Sequence, residues 1–179
     1  LLPLQILFLN LVTDVFPAFA LGLGKGEDGV MQRPPRDPVE PIVDGARWML
    51  IGYLGCAITF STLAAFVIAL FLLGLETERA ITVTFLTLAL SQLWNVFNMR
   101  AATGPFWKSD VLRNGYVWGA ISLCLSLVAM ALLNRDLSAL LALPWPGLTG
   151  LLVAGAMSFL PLVLGQAWIS LAARNSGSK

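Results

Sequence analysis

Of 179 residues, 58% are hydrophobic and only 12% charged, with a formal net charge of +1 and a mean hydropathy of +0.81. Soluble domains average about 45–50% apolar and about 25% charged residues, so a soluble fold this apolar would lack the polar groups to cover its surface. The small net charge argues against a nucleic-acid partner, which needs clustered basic residues, and the absence of histidine removes histidine catalysis and most zinc chemistry.

A bilayer lifts the demand for a polar surface and imposes another: each backbone N–H and C=O must be satisfied within the protein. The expected class is therefore all-α, a polytopic membrane helix bundle with five transmembrane helices in a single membrane domain over 1–179. A spanning helix needs about 20 mostly apolar residues. The spans are expected at about 1–23, 48–75, 80–99, 115–133 and 147–173, with polar loops at 24–47 and 100–114. The weakest boundary lies around Ser138 to Pro146, where Leu140, Leu141, Leu143 and Trp145 are candidates for an interfacial position. The run is already apolar at Leu1, with no initiator methionine and no signal-peptide pattern, which reads as a piece of a longer chain.

Five spans put the two ends on opposite sides. One side holds Lys25, Arg33, Arg36, Arg47, Arg100, Lys108, Arg113, Arg174 and Lys179, and the other only Arg79 and Arg135. Cytoplasmic loops carry the excess of Lys and Arg. The N-terminus is therefore expected to be extracytoplasmic and the C-terminus cytoplasmic.

Within the spans the only acidic residue is Asp14. An ionisable group at membrane depth is costly and by default points to function. Asn10, Thr13 and Asp14 are spaced i, i+3, i+4, so a helix places them on one face. A carboxylate, an amide oxygen and a hydroxyl are the hard ligands that Ca²⁺ or Na⁺ prefers. Pro17 removes the hydrogen bond to the Thr13 carbonyl, leaving a backbone oxygen for an ion. The bland alternative is a polar cluster that only joins helices. The third span carries a second stripe, Thr84, Thr87, Ser91, Asn95 and Asn98, with Thr82 and Gln92 nearby. Half of that stripe's weight goes to helix packing. Gln92, nearest mid-span, is its best candidate ligand. Cys56 and Cys124 lie within apolar runs and are expected to pack as small hydrophobes. Arg33-Pro34-Pro35-Arg36, with Asp37, Glu40 and Asp44 close by, is a rigid stretch that reads either as a solvated loop or as a docking surface for a cytoplasmic domain.

Asn10-Leu11-Val12-Thr13-Asp14, then Pro17-Ala18 and Ala20-Leu21-Gly22, resembles the sixth transmembrane helix of type II P-type cation ATPases, most closely the sarcoplasmic-reticulum calcium pump group. Met31, Arg33-Pro34-Pro35-Arg36, Pro38 and Glu40-Pro41 resemble the cytoplasmic loop that follows that helix, and the chain fits as the sixth to tenth helices. The resemblance implies that Asn10, Thr13 and Asp14 coordinate the transported cation, the aspartate bridging two sites. Gln92 stands where the calcium pumps of that group have a glutamate, which puts two-calcium stoichiometry in doubt. Val15 stands where the family often has glycine, and is expected to shift the local break toward Pro17. By the same resemblance this chain holds no cofactor of its own. The transported cation, Ca²⁺ foremost, sits at the shared site, and Mg-ATP is used by domains absent here. Its partners are the lipid bilayer, the remaining transmembrane helices and the cytoplasmic phosphorylation domain of the same pump. The expected location is the plasma membrane. The alternative is a free-standing five-span channel, carrier or assembly subunit.

Overall fold

The computed structural model describes residues 1–23, 43, 45–99 and 110–176. The arginine-proline stretch at 33–36 and its acidic neighbours lie outside the described residues. Among the described residues five helices are long and apolar enough to cross a membrane: Pro3–Gly22, Arg47–Leu72, Thr77–Asn98, Gly115–Leu133 and Gly147–Leu171. They are called here the first to fifth spans. No strand occurs among the described residues, and the all-α five-helix architecture expected from the sequence is the one found.

The helix ends follow from local chemistry. Pro3 opens the first span at a position whose missing N–H costs no intrahelical bond. The Leu2 N–H donates to the Gln5 side-chain oxygen at 2.9 Å. Asn114 caps the fourth span by accepting from the Tyr116 N–H at 2.9 Å. Asn134 ends that span and caps the short helix Arg135–Leu140 with bonds from Asp136 and Leu137 at 3.0 and 3.1 Å.

The third span is the pillar of the bundle. In its most apolar window 61% of the residues are buried, against 22–33% in the other four spans. It packs most extensively on Gly147–Ser158 of the fifth span and then on the second. Lipid tails are as apolar as leucine, so helix association here depends on close packing of small residues rather than on hydrophobic transfer. Ala65, Ala69, Ala80, Ala89, Ala131 and Ala154 accordingly line the interior, while Phe60, Phe71, Leu133, Leu148 and Leu152 face outward. A Cβ on Gly150 would stand 3.1 Å from a methyl of Val83 and 2.9 Å from the Pro146 ring, so the third and fifth spans meet there without room for a methyl group.

The fifth span is interrupted: helix Gly147–Ser158 ends at Phe159 and a second helix, Leu160–Ser176, follows. Pro161 causes the break, because it has no N–H for the Met157 carbonyl. That carbonyl instead accepts a hydrogen bond from the Ser61 hydroxyl of the second span. An unsatisfied carbonyl in hydrocarbon costs several kcal/mol, and hydroxyls of neighbouring helices are a common remedy.

In the loop before the fifth span Leu141 and Leu143 are buried in the main core, whereas Leu140 and Trp145 are exposed. The reason is a tight turn with Ala142 at φ 48°, closed by the Ser138 hydroxyl donating to the Leu143 carbonyl at 2.6 Å.

The Ser61–Met157 bond gives the first prediction. Ser61→Ala should destabilise the native protein by about 1 kcal/mol, within the range measured for interhelical bonds in bilayers. In a Pro161→Ala background, where the N–H is restored, the same change should cost close to nothing. A double-mutant cycle by steric trapping in bicelles measures the coupling, and equal costs in both backgrounds would rule out the compensation.

Candidate functional site

The first span changes its winding at the residues singled out by the sequence. Pro3–Asn10 is α-helical, Leu11–Val15 is a π segment, and Phe16–Gly22 is α-helical again. The break does not move toward Pro17 as expected. Asn10, Val15 and Phe16 all keep right-handed helical dihedrals, so the chain stays wound and absorbs the irregularity as a wider turn upstream of the proline. Single-turn π segments of this kind occur often at functional sites.

Asn10 and Asp14 are both exposed, and Thr13 is turned inward with 6% of its surface accessible. The Thr13 hydroxyl lies 2.9 Å from the Leu9 carbonyl and 3.3 Å from Asp14 Oδ1. It has one proton for the two acceptors, and the shorter distance is to Leu9. Asp14 therefore keeps most of its accepting capacity for another partner. No side-chain donor among the described residues takes the Thr13 carbonyl, the one deprived of its N–H by Pro17.

Gln92 is half-buried on the third span. That helix packs on the π segment, but no hydrogen bond joins Gln92 to Asn10, Thr13 or Asp14 among the described residues. The rest of the stripe divides by its bonding. Thr82, Thr84 and Thr87 return their hydroxyls to their own helix, to the carbonyls of Glu78, Ala80 and Val83 at 3.3, 2.8 and 2.8 Å. Asn98 Nδ2 donates to Asn95 Oδ1 at 3.0 Å and to the Pro161 carbonyl at 3.4 Å. Gln166 Nε2 donates to Asn98 Oδ1 at 2.8 Å and to the Phe97 carbonyl at 3.1 Å. These residues join the third span to the fifth. Among the described residues no three His, Cys, Asp or Glu side chains gather as a metal cluster, so any ion here would meet one carboxylate and neutral oxygens.

Three polar contacts hold the first span in place, and two of their donors were not singled out from the sequence. Gln5, fully buried, donates to the carbonyls of Leu141 and Ala142 at 2.9 and 3.4 Å. The Cys124 thiol, expected only to pack, also donates to the Val12 carbonyl inside the π segment at 2.9 Å. Asn114 Nδ2 donates to the Ala20 carbonyl at 3.2 Å. Gln5, Leu9, Val12 and Ala20 are all buried, at helical spacing. That periodicity is the signal that would have marked Gln5 as inward-facing. The Phe8 and Phe85 rings, 6.1 Å apart, pack in the same interface. The polar edge of Asn10 and Asp14 thus points away from the helices that fix its span.

Fold and site together define a polytopic helical membrane domain with a carboxylate-bearing polar edge that its described helices do not cover. The chain belongs to the family described as "Cation transporting ATPase, C-terminus", whose profile matches residues 1–171. It is 38% identical over 132 residues to a calcium-transporting ATPase of Bacillus subtilis, covering 73% of this chain and 15% of that protein. It is 33% identical over 130 residues to a calcium-transporting ATPase of Listeria monocytogenes, covering 73% of this chain and 14% of that protein. The matched region thus spans about one-seventh of the length of these relatives.

The Val12 contact can be tested on its own. Cys124→Ala should raise amide hydrogen exchange across Leu11–Val15, because the wide turn loses an external donor worth about 0.6 kcal/mol. Cys124→Ser, which keeps a donor, should restore protection. Equal exchange in all three proteins would show that the thiol merely fills space.

Proposed function

We propose that this chain is the C-terminal membrane domain of an ATP-driven cation pump and that it contributes part of the intramembrane cation site. The observation that carries the reading is the placement of Asp14: a carboxylate well inside an apolar span, on a π segment, exposed on an edge that no described helix of this chain covers. Asn10, Thr13, Asp14 and Gln92 are the proposed ligands. Asp14 supplies the charge, Asn10 and Gln92 neutral amide oxygens, and Thr13 a hydroxyl oxygen. Helices from elsewhere in the pump complete the site. Hard oxygen donors suit Ca²⁺, and the relatives' calcium transport favours it as cargo.

The intact protein is read as a P-type translocase that uses Mg-ATP in cytoplasmic domains. This chain alone would not hydrolyse ATP. The stretch around Arg33-Pro34-Pro35-Arg36 is proposed to couple the membrane domain to the phosphorylation domain. The charge asymmetry supports an extracytoplasmic N-terminus and a cytoplasmic C-terminus, and the bacterial relatives support residence in the plasma membrane.

In the intact pump, Asp14→Asn should abolish cation-dependent phosphorylation from ATP, measured as acid-stable phosphoenzyme from labelled ATP. Retention of the wild-type cation dependence would remove Asp14 from the site. Gln92→Glu adds a negative charge, so it should raise apparent Ca²⁺ affinity or the number of ions bound per phosphoenzyme. If ⁴⁵Ca binding is unchanged in both respects, Gln92 serves helix packing instead.

A further inference from the structure

The loop between the fourth and fifth spans shapes an open groove of about 460 Å³ that includes Leu132, Leu133, Arg135, Ser138, Leu143 and Trp145 in its lining. It lies at the end of the bundle where the first span begins, since the Gln5 side chain binds the backbone of Leu141 in the same loop. The groove is built rather than incidental. Ser138 and Gln5 hold the turn by hydrogen bonds to Leu143, Leu141 and Ala142, and Asn134 fixes the start of the helix that carries Arg135.

Its chemistry is two-sided. Leu133 is 70% exposed and Trp145 50% exposed, an apolar strip and an indole at the end of a span, the pairing that suits the boundary of acyl chains and headgroups. Arg135 supplies the charge. On this end of the bundle Arg79 lies 3.9 Å from Glu76, whereas Arg135 has no carboxylate within salt-bridge distance among the described residues, even with Asp136 next to it in sequence. A guanidinium matches a phosphate in planar, bidentate geometry and is weakly hydrated. A cation at the lip of an apolar groove with no carboxylate partner among the described residues therefore complements the phosphate of a membrane lipid.

We infer that this groove is a phospholipid site, with the lipid phosphate on Arg135, the headgroup region against Trp145 and an acyl chain along Leu132 and Leu133. The inference stands apart from the cation reading, because it uses none of the proposed ligands.

The test reconstitutes the intact protein in nanodiscs of phosphatidylcholine containing a trace of phosphatidylglycerol with a photoactivatable acyl chain, and locates crosslinks by peptide mass spectrometry. The segment 132–145 should be labelled above the level of other lipid-facing segments, such as that around Phe60 on the second span. Arg135→Gln should lower labelling of 132–145 about fivefold, the loss expected for one basic residue near the headgroups, and leave the Phe60 segment unchanged. Arg135→Lys, which keeps the charge, should retain part of the labelling. Equal labelling of 132–145 in wild type and Arg135→Gln would overturn the proposal. So would loss of labelling on adding inorganic phosphate, which would make the site one for a free anion.

Discussion

A helix crossing hydrocarbon can leave no carbonyl without a donor, and this domain breaks that condition twice, at Pro17 and at Pro161. The two sites share a layout. Each proline is the second residue of a helix that resumes after an irregularity, Phe16–Gly22 in one span and Leu160–Ser176 in the other. Their remedies differ. At Pro161 a hydroxyl from a neighbouring helix takes the freed Met157 carbonyl, and the break becomes a joint between the second and fifth spans. At Pro17 the chain widens its winding upstream, Cys124 takes the Val12 carbonyl, and the Thr13 carbonyl has no side-chain donor among the described residues. One interruption is closed by a side chain of another span, while the other has no such side-chain donor among the described residues.

The arrangement around the third span explains how such an irregular first span is tolerated. Small residues let the second, third and fifth spans approach closely. At Gly165 the absent side chain leaves the space that the Asn98 amide occupies, and Asn98 is in turn bonded to Asn95, Gln166 and the Pro161 carbonyl. A rigid three-helix wall results. The first span leans on it through the Phe8–Phe85 contact and on the fourth span through Cys124 and Asn114. The position of Asp14 is therefore set by contacts on the opposite side of its own helix.

Much of this was legible in the sequence, for a physical reason: the bilayer fixes helix length and demands sustained hydropathy, so five helices follow from five apolar runs. Asp14 stood out because a carboxylate inside such a run is expensive. What stayed hidden depends on distant partners. Gln5 reads as one polar residue near the start of an apolar run, yet its bond goes to a carbonyl 136 positions away. Ser61 looks like any helix serine until Pro161 is placed beside it. The sequence pointed to a break shifted toward Pro17, because the proline and Val15 are its local signals, whereas the irregularity is a π segment at Leu11–Val15. The structure keeps helical dihedrals at β-branched residues and slips the hydrogen-bond ladder instead. The bonding of the third-span side chains was equally invisible, since three threonines turn back to their own helix while Asn98 and Trp94 reach the fifth span.

The outward edge of the first span also bears on how the protein is made. A lone carboxylate at mid-span costs about 2.5–3.5 kcal/mol on insertion scales, and Asn10 beside it adds a further polar group. Because the first span's own neighbours grip its other side, they do nothing to reduce that cost. Its release from the translocon into lipid is thus thermodynamically tied to whatever helices cover Asn10 and Asp14. Under the proposed function, with Asn10 and Asp14 as cation ligands, biogenesis and ion binding draw on the same outward-facing oxygens, and a substitution that eases insertion of this span weakens the proposed site.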